Sequence, residues 1–134
     1  MKIDQIQSRV LQLTSKLDKE TVIYDLLLAY DLPRATITRL QKGTANLSKV
    51  NGEVSLKKKL HFKEVYHEDL HLSITSLSND VKHNQRFVIV TDYKTLLARD
   101  TKMNVTLDIH IKDLSKHYDF FLPWAGMEKA QLQN

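Results

Sequence analysis

The five-residue run Phe87–Thr91, with the sequence FVIVT, constrains the fold of this chain more than any other segment. Its first four residues are apolar and its last four are β-branched. A continuous run of this kind is typical of a strand that is buried on both faces inside a sheet. Because the chain has 134 residues, the length of one ordinary domain, we expect helices of the same domain to cover that sheet.

Three further segments are predicted to contribute strands. Residues 105–111 alternate apolar and polar side chains, which is the period-two pattern of a half-buried strand. Residues 92–94 are a predicted turn, after which residues 95–99 pair back onto the buried strand as a hairpin. Residues 54–65 alternate more weakly and indicate one or two strands.

Apolar residues at helical spacing predict amphipathic helices over residues 2–16 and 67–81. Another helix is predicted for residues 19–30, with Asp18 as its N-cap, and a short one for residues 113–118. The order of helices and strands predicts an α/β (α+β) fold, in which a mixed sheet is flanked by helices.

Residues 34–42 support two interpretations. The β-branched residues 36–38 favour a strand, whereas the sequence TITRLQKG resembles a recognition helix that ends at a glycine cap. In the second case residues 20–30, 31–33 and 34–42 would form a helix-turn-helix. The side chains that could then meet phosphates or base edges are Arg34, Thr38 and Arg39.

Composition excludes several classes of protein. Three glycines in the whole chain are too few for a dinucleotide-binding or P-loop fingerprint. The absence of cysteine excludes a disulfide scaffold, a thiolate zinc site and a cysteine nucleophile. No apolar run approaches the ~18–20 residues of a membrane span, and the N-terminus does not open a signal peptide. We therefore expect a cytoplasmic protein without a membrane partner.

Positive charge is concentrated in residues 34–63, which we call the basic segment. It holds eight Lys and Arg residues and one acid, Glu53, while the rest of the chain holds twelve cations and fifteen acids. Clustered cations neutralise phosphates, so this pattern predicts nucleic-acid binding. The candidate DNA-binding residues are Arg34, Arg39, Lys42, Lys57, Lys58 and Lys59.

Two kinds of short motif, H-E-x-x-H and acid-x-Lys, are interpreted as structural features rather than as parts of a catalytic site. Residues 67–71, HEDLH, match the H-E-x-x-H zinc motif, but the predicted helix is only starting there and Asp69 adds a charge inside the motif. Acidic residues in a first helical turn complement the helix dipole, so we interpret this segment as a polar helix start. The acid-x-Lys triplets at residues 80–82, 92–94 and 100–102 are interpreted as a helix end and two turns.

A Mg²⁺-dependent nuclease site is the catalytic hypothesis. Such sites place an acid and an acid-x-Lys pair on adjacent strands, where carboxylates hold the metal and lysine positions the attacking water. Glu53 is the candidate metal ligand, and Lys57 and Lys63 are the nearest lysines. Because acid-x-Lys is missing at this place, either a distant acid such as Glu20 or Glu64 completes the site or the site is degenerate. The catalytic candidates are therefore Glu53, Lys63 and Glu20.

Several short sequence blocks, taken in their order along the chain, together resemble a known family. They are YDLL (24–27), YDLPRATITRL (30–40), KG (42–43), NLS (46–48), GEV (52–54), FK (62–63), VTDY (90–93), ARDTK (98–102) and DFFLPWAGMEK (119–129). Together they resemble the extreme N-terminus of the large single-chain type IIG/IIL restriction-modification proteins of bacterial defence, which are class I SAM-dependent DNA methyltransferases. The resemblance covers residues 24–129.

This resemblance implies that residues 1–122 are an N-terminal domain and that residues 123–134 begin a linker to a methyltransferase domain. The chain has neither an Asn-Pro-Pro-Tyr motif nor a glycine-rich SAM loop, so SAM would belong to that other domain. The resemblance also implies a restriction-endonuclease-like fold of the PD-(D/E)xK type. We expect such a domain to engage DNA and to cleave it with Mg²⁺ if its site is intact. The alternatives are a non-catalytic helix-turn-helix module and a scaffold that packs on its own methyltransferase domain.

Overall fold

The computed structural model describes residues 3–127 of the chain. They form two compact units, residues 3–38 with residues 112–127, and Arg39–Ile111. The α-helices of the described residues are α1 (Ile3–Ser15), α2 (Val22–Ala29), α3 (Arg34–Lys42) and α4 (Leu70–Asn79). The strands are β1 (Glu53–Leu56), β2 (Leu60–Glu64), β3 (Phe87–Thr91), β4 (Thr95–Asp100) and β5 (Val105–His110), and a 3₁₀ segment spans Ile111–Ala125.

The second unit is built on a mixed five-stranded sheet in the order β1-β2-β3-β4-β5. Strands β2 and β3 are parallel, and every other neighbouring pair is antiparallel. A parallel pair needs a crossover connection, which α4 supplies between β2 and β3. All five residues of β3 are buried, as the FVIVT run predicts. The predicted mixed sheet with helices is confirmed.

Helix α4 covers one face of this sheet. Ile74 packs in a buried cluster with Val65, Val88, Val90 and Leu97. Since side chains alternate between the two faces of a strand, these contacts assign Val88, Val90 and Leu97 to the α4 face. The opposite faces of β3 and β4 carry Phe87, Ile89, Leu96 and Ala98, which are also buried.

The start of α4 corrects the predicted helix over residues 67–81. Asp69 is the N-cap, and its carboxylate accepts hydrogen bonds from the N–H groups of His71 (2.8 Å) and Leu72 (3.2 Å). His67 and Glu68 therefore precede the helix, and the two histidines of HEDLH do not share a helical face. The interpretation of this motif as a polar helix start is supported.

In the first unit, α1 confirms the helix predicted for residues 2–16, apart from Lys2, which lies outside the described residues. Helix α2 begins at Val22 rather than at residue 19, so the prediction that Asp18 is its N-cap is wrong. The Asp18 carboxylate accepts from the Glu20 N–H (2.9 Å), and its carbonyl accepts from the Val22 N–H (2.8 Å). These local bonds form a turn that delays the helix.

The 3₁₀ segment closes the first unit with an aromatic cluster. The rings of Phe121 and Trp124 stack with centroids 4.5 Å apart, and Tyr30 meets both edge-on. The segment is interrupted by non-helical backbone at His117, so the short helix predicted for residues 113–118 is present only up to that residue. Trp124 is also buried. Residues 128–134 of the predicted linker lie outside the described residues, and the boundary after residue 122 stays a prediction.

The ambiguous segment 34–42 is the helix α3. Ile37 and Leu40 are buried on one side of it. The free energy gained by burying them outweighs the strand propensity of Thr36 and Thr38. Gly43, with φ of +86°, ends the helix, and its N–H donates to the Leu40 carbonyl while the Thr44 N–H donates to the Arg39 carbonyl. This pair of bonds is the Schellman motif of a helix C-terminus.

In the described part of the chain, no helix has the length and apolar character needed to cross a membrane.

Candidate functional site

Most cations of the basic segment are exposed to solvent. Its exposed cations are Arg34, Arg39, Lys42, Lys49, Lys57 and Lys58, while Lys59 and Lys63 are half-buried. All of these except Arg34 belong to the second unit. The segment therefore presents a high density of positive charge to solvent.

The turn between β1 and β2 carries three consecutive lysines, Lys57, Lys58 and Lys59. The Lys59 N–H donates to the Leu56 carbonyl at 3.1 Å, which closes the turn, and Lys58 has φ of +66°. The Lys58 N–H donates to the His83 carbonyl, also at 3.1 Å. Because these bonds hold the turn backbone, the side chains of Lys57 and Lys58 extend into solvent from a defined position.

Glu53, the only acid of the basic segment, lies directly opposite Lys63 in the β1–β2 pair. Its carboxylate has other partners. Ser48 Oγ donates to Oε1 at 3.0 Å, and His61 Nε2 lies 3.0 Å from the same oxygen. The side chains of Glu53 and His61 are only 12% and 19% exposed. The one carboxylate among these cations is thus bound inside the domain.

The loop before β1 is fixed by Asn46. Its Oδ1 accepts from the N–H groups of Ser48 (3.0 Å) and Ser55 (2.8 Å), and its Nδ2 donates to the Glu53 carbonyl (3.0 Å). The Leu47 N–H donates to the Ser55 carbonyl at 2.9 Å. These bonds occupy the outer edge of β1 and place Ser48 against Glu53.

The predicted nuclease residues are brought together only in part. The hairpin register pairs Glu53 with Lys63, whereas Glu20 lies on an exposed turn of the first unit. Mg²⁺ requires a nearly octahedral set of oxygen ligands, and here Glu53 Oε1 is shared by a hydroxyl and an imidazole. Across residues 3–127, no group of three or more His, Asp or Glu side chains could hold a metal ion. The described residues therefore do not fit a Mg²⁺ site at Glu53.

Glu64, the other acid considered for that site, belongs to a cluster that the sequence did not reveal. Its Oε2 accepts from Tyr93 Oη at 2.6 Å and from Tyr66 Oη at 3.4 Å. A Cβ atom on Gly52 would lie 2.9 Å from Glu64 Cγ, so the glycine leaves room for this side chain. Partial desolvation and the Glu64 carboxylate raise the pKa of Tyr66. The partners lie in three separate loops, and no local spacing connects them.

The three acid-x-Lys triplets have structural roles, as predicted. Asp80 is the C-cap of α4. Asp92 Oδ1 accepts from the N–H groups of Thr95 (2.8 Å) and Lys94 (2.9 Å) in the β3–β4 turn, and these bonds lower its pKa. Asp100 Oδ1 accepts from the Lys102 N–H at 3.0 Å in the turn after β4.

The buried acid Asp100 also forms an ion pair that sequence reasoning missed. Arg86 donates from Nε to Oδ1 at 3.0 Å and from Nη2 to Oδ2 at 2.9 Å. The two side chains are 15% and 6% exposed. A two-point pair of this kind fixes the ends of β3 and β4 against each other.

Comparison with known proteins gives two matches of the whole chain. The family described as "MmeI, N-terminal domain" matches residues 1–134. A DNA methyltransferase A of Bacillus subtilis (strain 168) is 38% identical over 136 residues, which is 99% of this chain and 16% of that protein. The chain thus spans about a sixth of the length of this curated relative. No solved structure matches, so the restriction-endonuclease-like part of the fold prediction has no structural neighbour in its support.

Proposed function

Since the chain belongs to the MmeI N-terminal domain family, we propose that it is the DNA-engaging N-terminal domain of a restriction-modification DNA methyltransferase. The B. subtilis relative is named for the methyltransferase and extends well beyond the matched part. Methyl transfer, with SAM as its cofactor, would belong to the remainder of such a parent protein. That remainder would also be a partner of this domain.

One observation supports DNA engagement above the others. Along residues 34–63 six of the eight cations are exposed, while the only carboxylate, that of Glu53, is bound to Ser48 and His61. An exposed carboxylate would repel phosphates and offset nearby lysines, and this arrangement removes it from the surface. Binding through phosphate neutralisation requires exposed cations and no base-specific geometry.

The test is binding of the 134-residue chain to a fluorescein-labelled duplex, measured by anisotropy. The triple variant Lys57→Ala/Lys58→Ala/Lys59→Ala is compared with a matched triple variant at exposed lysines outside the segment, Lys16→Ala/Lys82→Ala/Lys102→Ala. We expect the first to raise Kd at least about tenfold more than the second, because it removes phosphate contacts rather than net charge alone. Equal effects of the two variants would contradict a role for the β1–β2 turn.

We propose binding without cleavage, because the contacts of Glu53 do not make a Mg²⁺ site. Glu53, Lys63 and Glu20 remain the candidates for catalysis if this is wrong. The assay is nicking of a supercoiled plasmid by the chain with and without Mg²⁺, and we expect none above the buffer control. Mg²⁺-dependent nicking that Glu53→Ala abolishes would overturn the proposal and establish the nuclease alternative.

A second candidate is DNA binding through a helix-turn-helix, favoured by the helical conformation of α3. Helix α2, residues 30–33 and α3 follow one another as in that motif, and Arg34, Thr38 and Arg39 are exposed on α3. For this mode, Arg34→Ala/Arg39→Ala should weaken binding more than the lysine triple variant does. The opposite order would favour the β1–β2 turn.

A further inference from the structure

The two edges of the sheet in the second unit differ in how their backbone groups are satisfied. At β1, the outer edge is bonded to Asn46 and Leu47, as described above. At the other side, β5 pairs only with β4. An edge strand left open in this way is a template for another strand.

The register shows which backbone groups of β5 point outward. The Ile111 N–H donates to the Lys94 carbonyl at 2.8 Å, one step beyond the Thr95–His110 pair. Hydrogen-bonded and non-hydrogen-bonded pairs alternate along an antiparallel ladder. Every second residue counted back from Ile111 therefore bonds to β4, and these residues are Ile109, Leu107 and Val105. The N–H and C=O groups of Thr106 and Asp108 consequently point away from the sheet.

Both of these outward residues are exposed, and within residues 3–127 the structure gives their backbone groups no protein partner. The apolar side chains of β5 lie on the face opposite α4, since Asp108 pairs with Leu97 of the α4 cluster. Val105 is 49% exposed there, and Leu107 and Ile109 are half-buried. The strand thus offers a free backbone edge together with a partly uncovered apolar row.

We propose that β5 pairs antiparallel with β5 of a second copy of this chain, about a twofold axis at Leu107. In this register Leu107 faces Leu107 of the other copy and Val105 faces Ile109. Thr106 faces Asp108, and these outward residues exchange the backbone hydrogen bonds. The surface is therefore complementary to itself, which is the requirement for a twofold interface. This inference does not depend on DNA engagement.

Charge favours this register over the one centred on Asp108. Centring the axis on Asp108 would place two carboxylates directly opposite each other, which is destabilising. In the proposed register each Asp108 meets Thr106, whose Oγ1 accepts from Arg99 Nη1 at 2.8 Å. An arginine of one copy then lies beside the carboxylate of the other. The pair of strands is smaller than a standard interface of ~1,600 Å², so we expect a weak dimer.

The chain contains no cysteine, so a single introduced cysteine reports one contact. Opposite residues in a non-hydrogen-bonded pair have Cα atoms about 4.5 Å apart, within the range that a disulfide spans. Leu107→Cys should form a disulfide-linked dimer in mild oxidant at least about tenfold faster than Val50→Cys. Val50 is a matched control because it is exposed and precedes β1, at the opposite edge of the sheet. Equal rates for the two variants would overturn the proposal.

A second cysteine variant tests the register of the strand pair. Sedimentation of the unmodified, cysteine-free chain tests whether it forms a dimer at all. Asp108→Cys should cross-link more slowly than Leu107→Cys, and the reverse order would overturn the register. Sedimentation velocity at about 100 µM should show the unmodified chain in a monomer–dimer equilibrium. Thr106→Pro, which removes an outward N–H at an edge position, should be monomeric with an unchanged circular dichroism spectrum. A monomeric unmodified chain would overturn the proposal.

Discussion

His61 Nε2 lies 3.0 Å from Glu53 Oε1 across the β1–β2 hairpin, although the residue directly opposite Glu53 is Lys63. The carboxylate therefore binds a neighbouring imidazole and the Ser48 hydroxyl rather than serving as a free metal ligand. This arrangement gives Glu53 a structural role and leaves the surrounding lysines to interact with an external polyanion.

Replacing Glu53 should accordingly destabilise the domain. Glu53→Ala removes the acceptor of two hydrogen bonds in a mostly buried position, and we expect the free energy of unfolding to fall by about 1–3 kcal/mol. Lys63→Ala should cost less than about 0.5 kcal/mol. Urea denaturation measures both, and equal losses would show that Lys63 is the main partner of Glu53.

The Arg86–Asp100 pair should contribute far more to stability than a surface pair. Asp100→Ala leaves a largely buried guanidinium without its carboxylate, and we expect a loss of about 3 kcal/mol. The control is Lys116→Ala, which breaks the exposed Lys116–Asp113 pair of 3.5 Å and should change stability by less than about 0.5 kcal/mol. Similar midpoints for the two variants in urea would contradict this assignment.

Much of the fold could be predicted because its signals are local. The FVIVT run identifies the central strand, and period-two alternation identifies β5. Helix α3 could not be decided in this way, because burial of Ile37 and Leu40 depends on residues distant in the sequence. The same limit applies to the site. The sequence reveals the lysines and the solitary Glu53, but the bonds that Glu53 forms depend on hairpin register and on the loop fixed by Asn46.

Tyr30 should make stability fall in alkaline solution. Its hydroxyl donates to the Tyr118 carbonyl at 2.6 Å, and burial, followed by the Asp119 charge, raises the pKa of Tyr30 far above its usual value. The folded state keeps a proton that the unfolded state releases above pH ~10. This stabilising contribution is therefore fully present below pH ~10 and is lost as the pH rises further.

The comparison is between the chain and Tyr30→Phe, unfolded in urea from pH 8 to 11. The variant should be less stable by about 1 kcal/mol at pH 8, where it lacks the hydrogen bond. Above pH 10 its stability should decline less steeply than that of the unmodified chain. Parallel declines would mean that Tyr30 ionises equally in the folded and unfolded states.

The Asp69 cap tests the interpretation of the HEDLH segment. Asp69→Ala removes the acceptor for the His71 and Leu72 N–H groups, so we expect a loss of about 1 kcal/mol. Asp69→Asn retains an acceptor oxygen and should lose less. Addition of Zn²⁺ should leave the unfolding midpoint of the unmodified chain unchanged, and a zinc-dependent rise would contradict the interpretation of HEDLH as a polar helix start without a metal.

The most direct test of DNA engagement is the salt dependence of duplex binding by the 134-residue chain. A plot of log Kobs against log salt concentration should be linear with a slope of about −3 or steeper, because each neutralised phosphate contributes about −0.9. In the variant Lys57→Ala/Lys58→Ala/Lys59→Ala the slope should be shallower by about 2 to 3. Negligible binding at low salt, or an identical slope in the variant, would contradict the account.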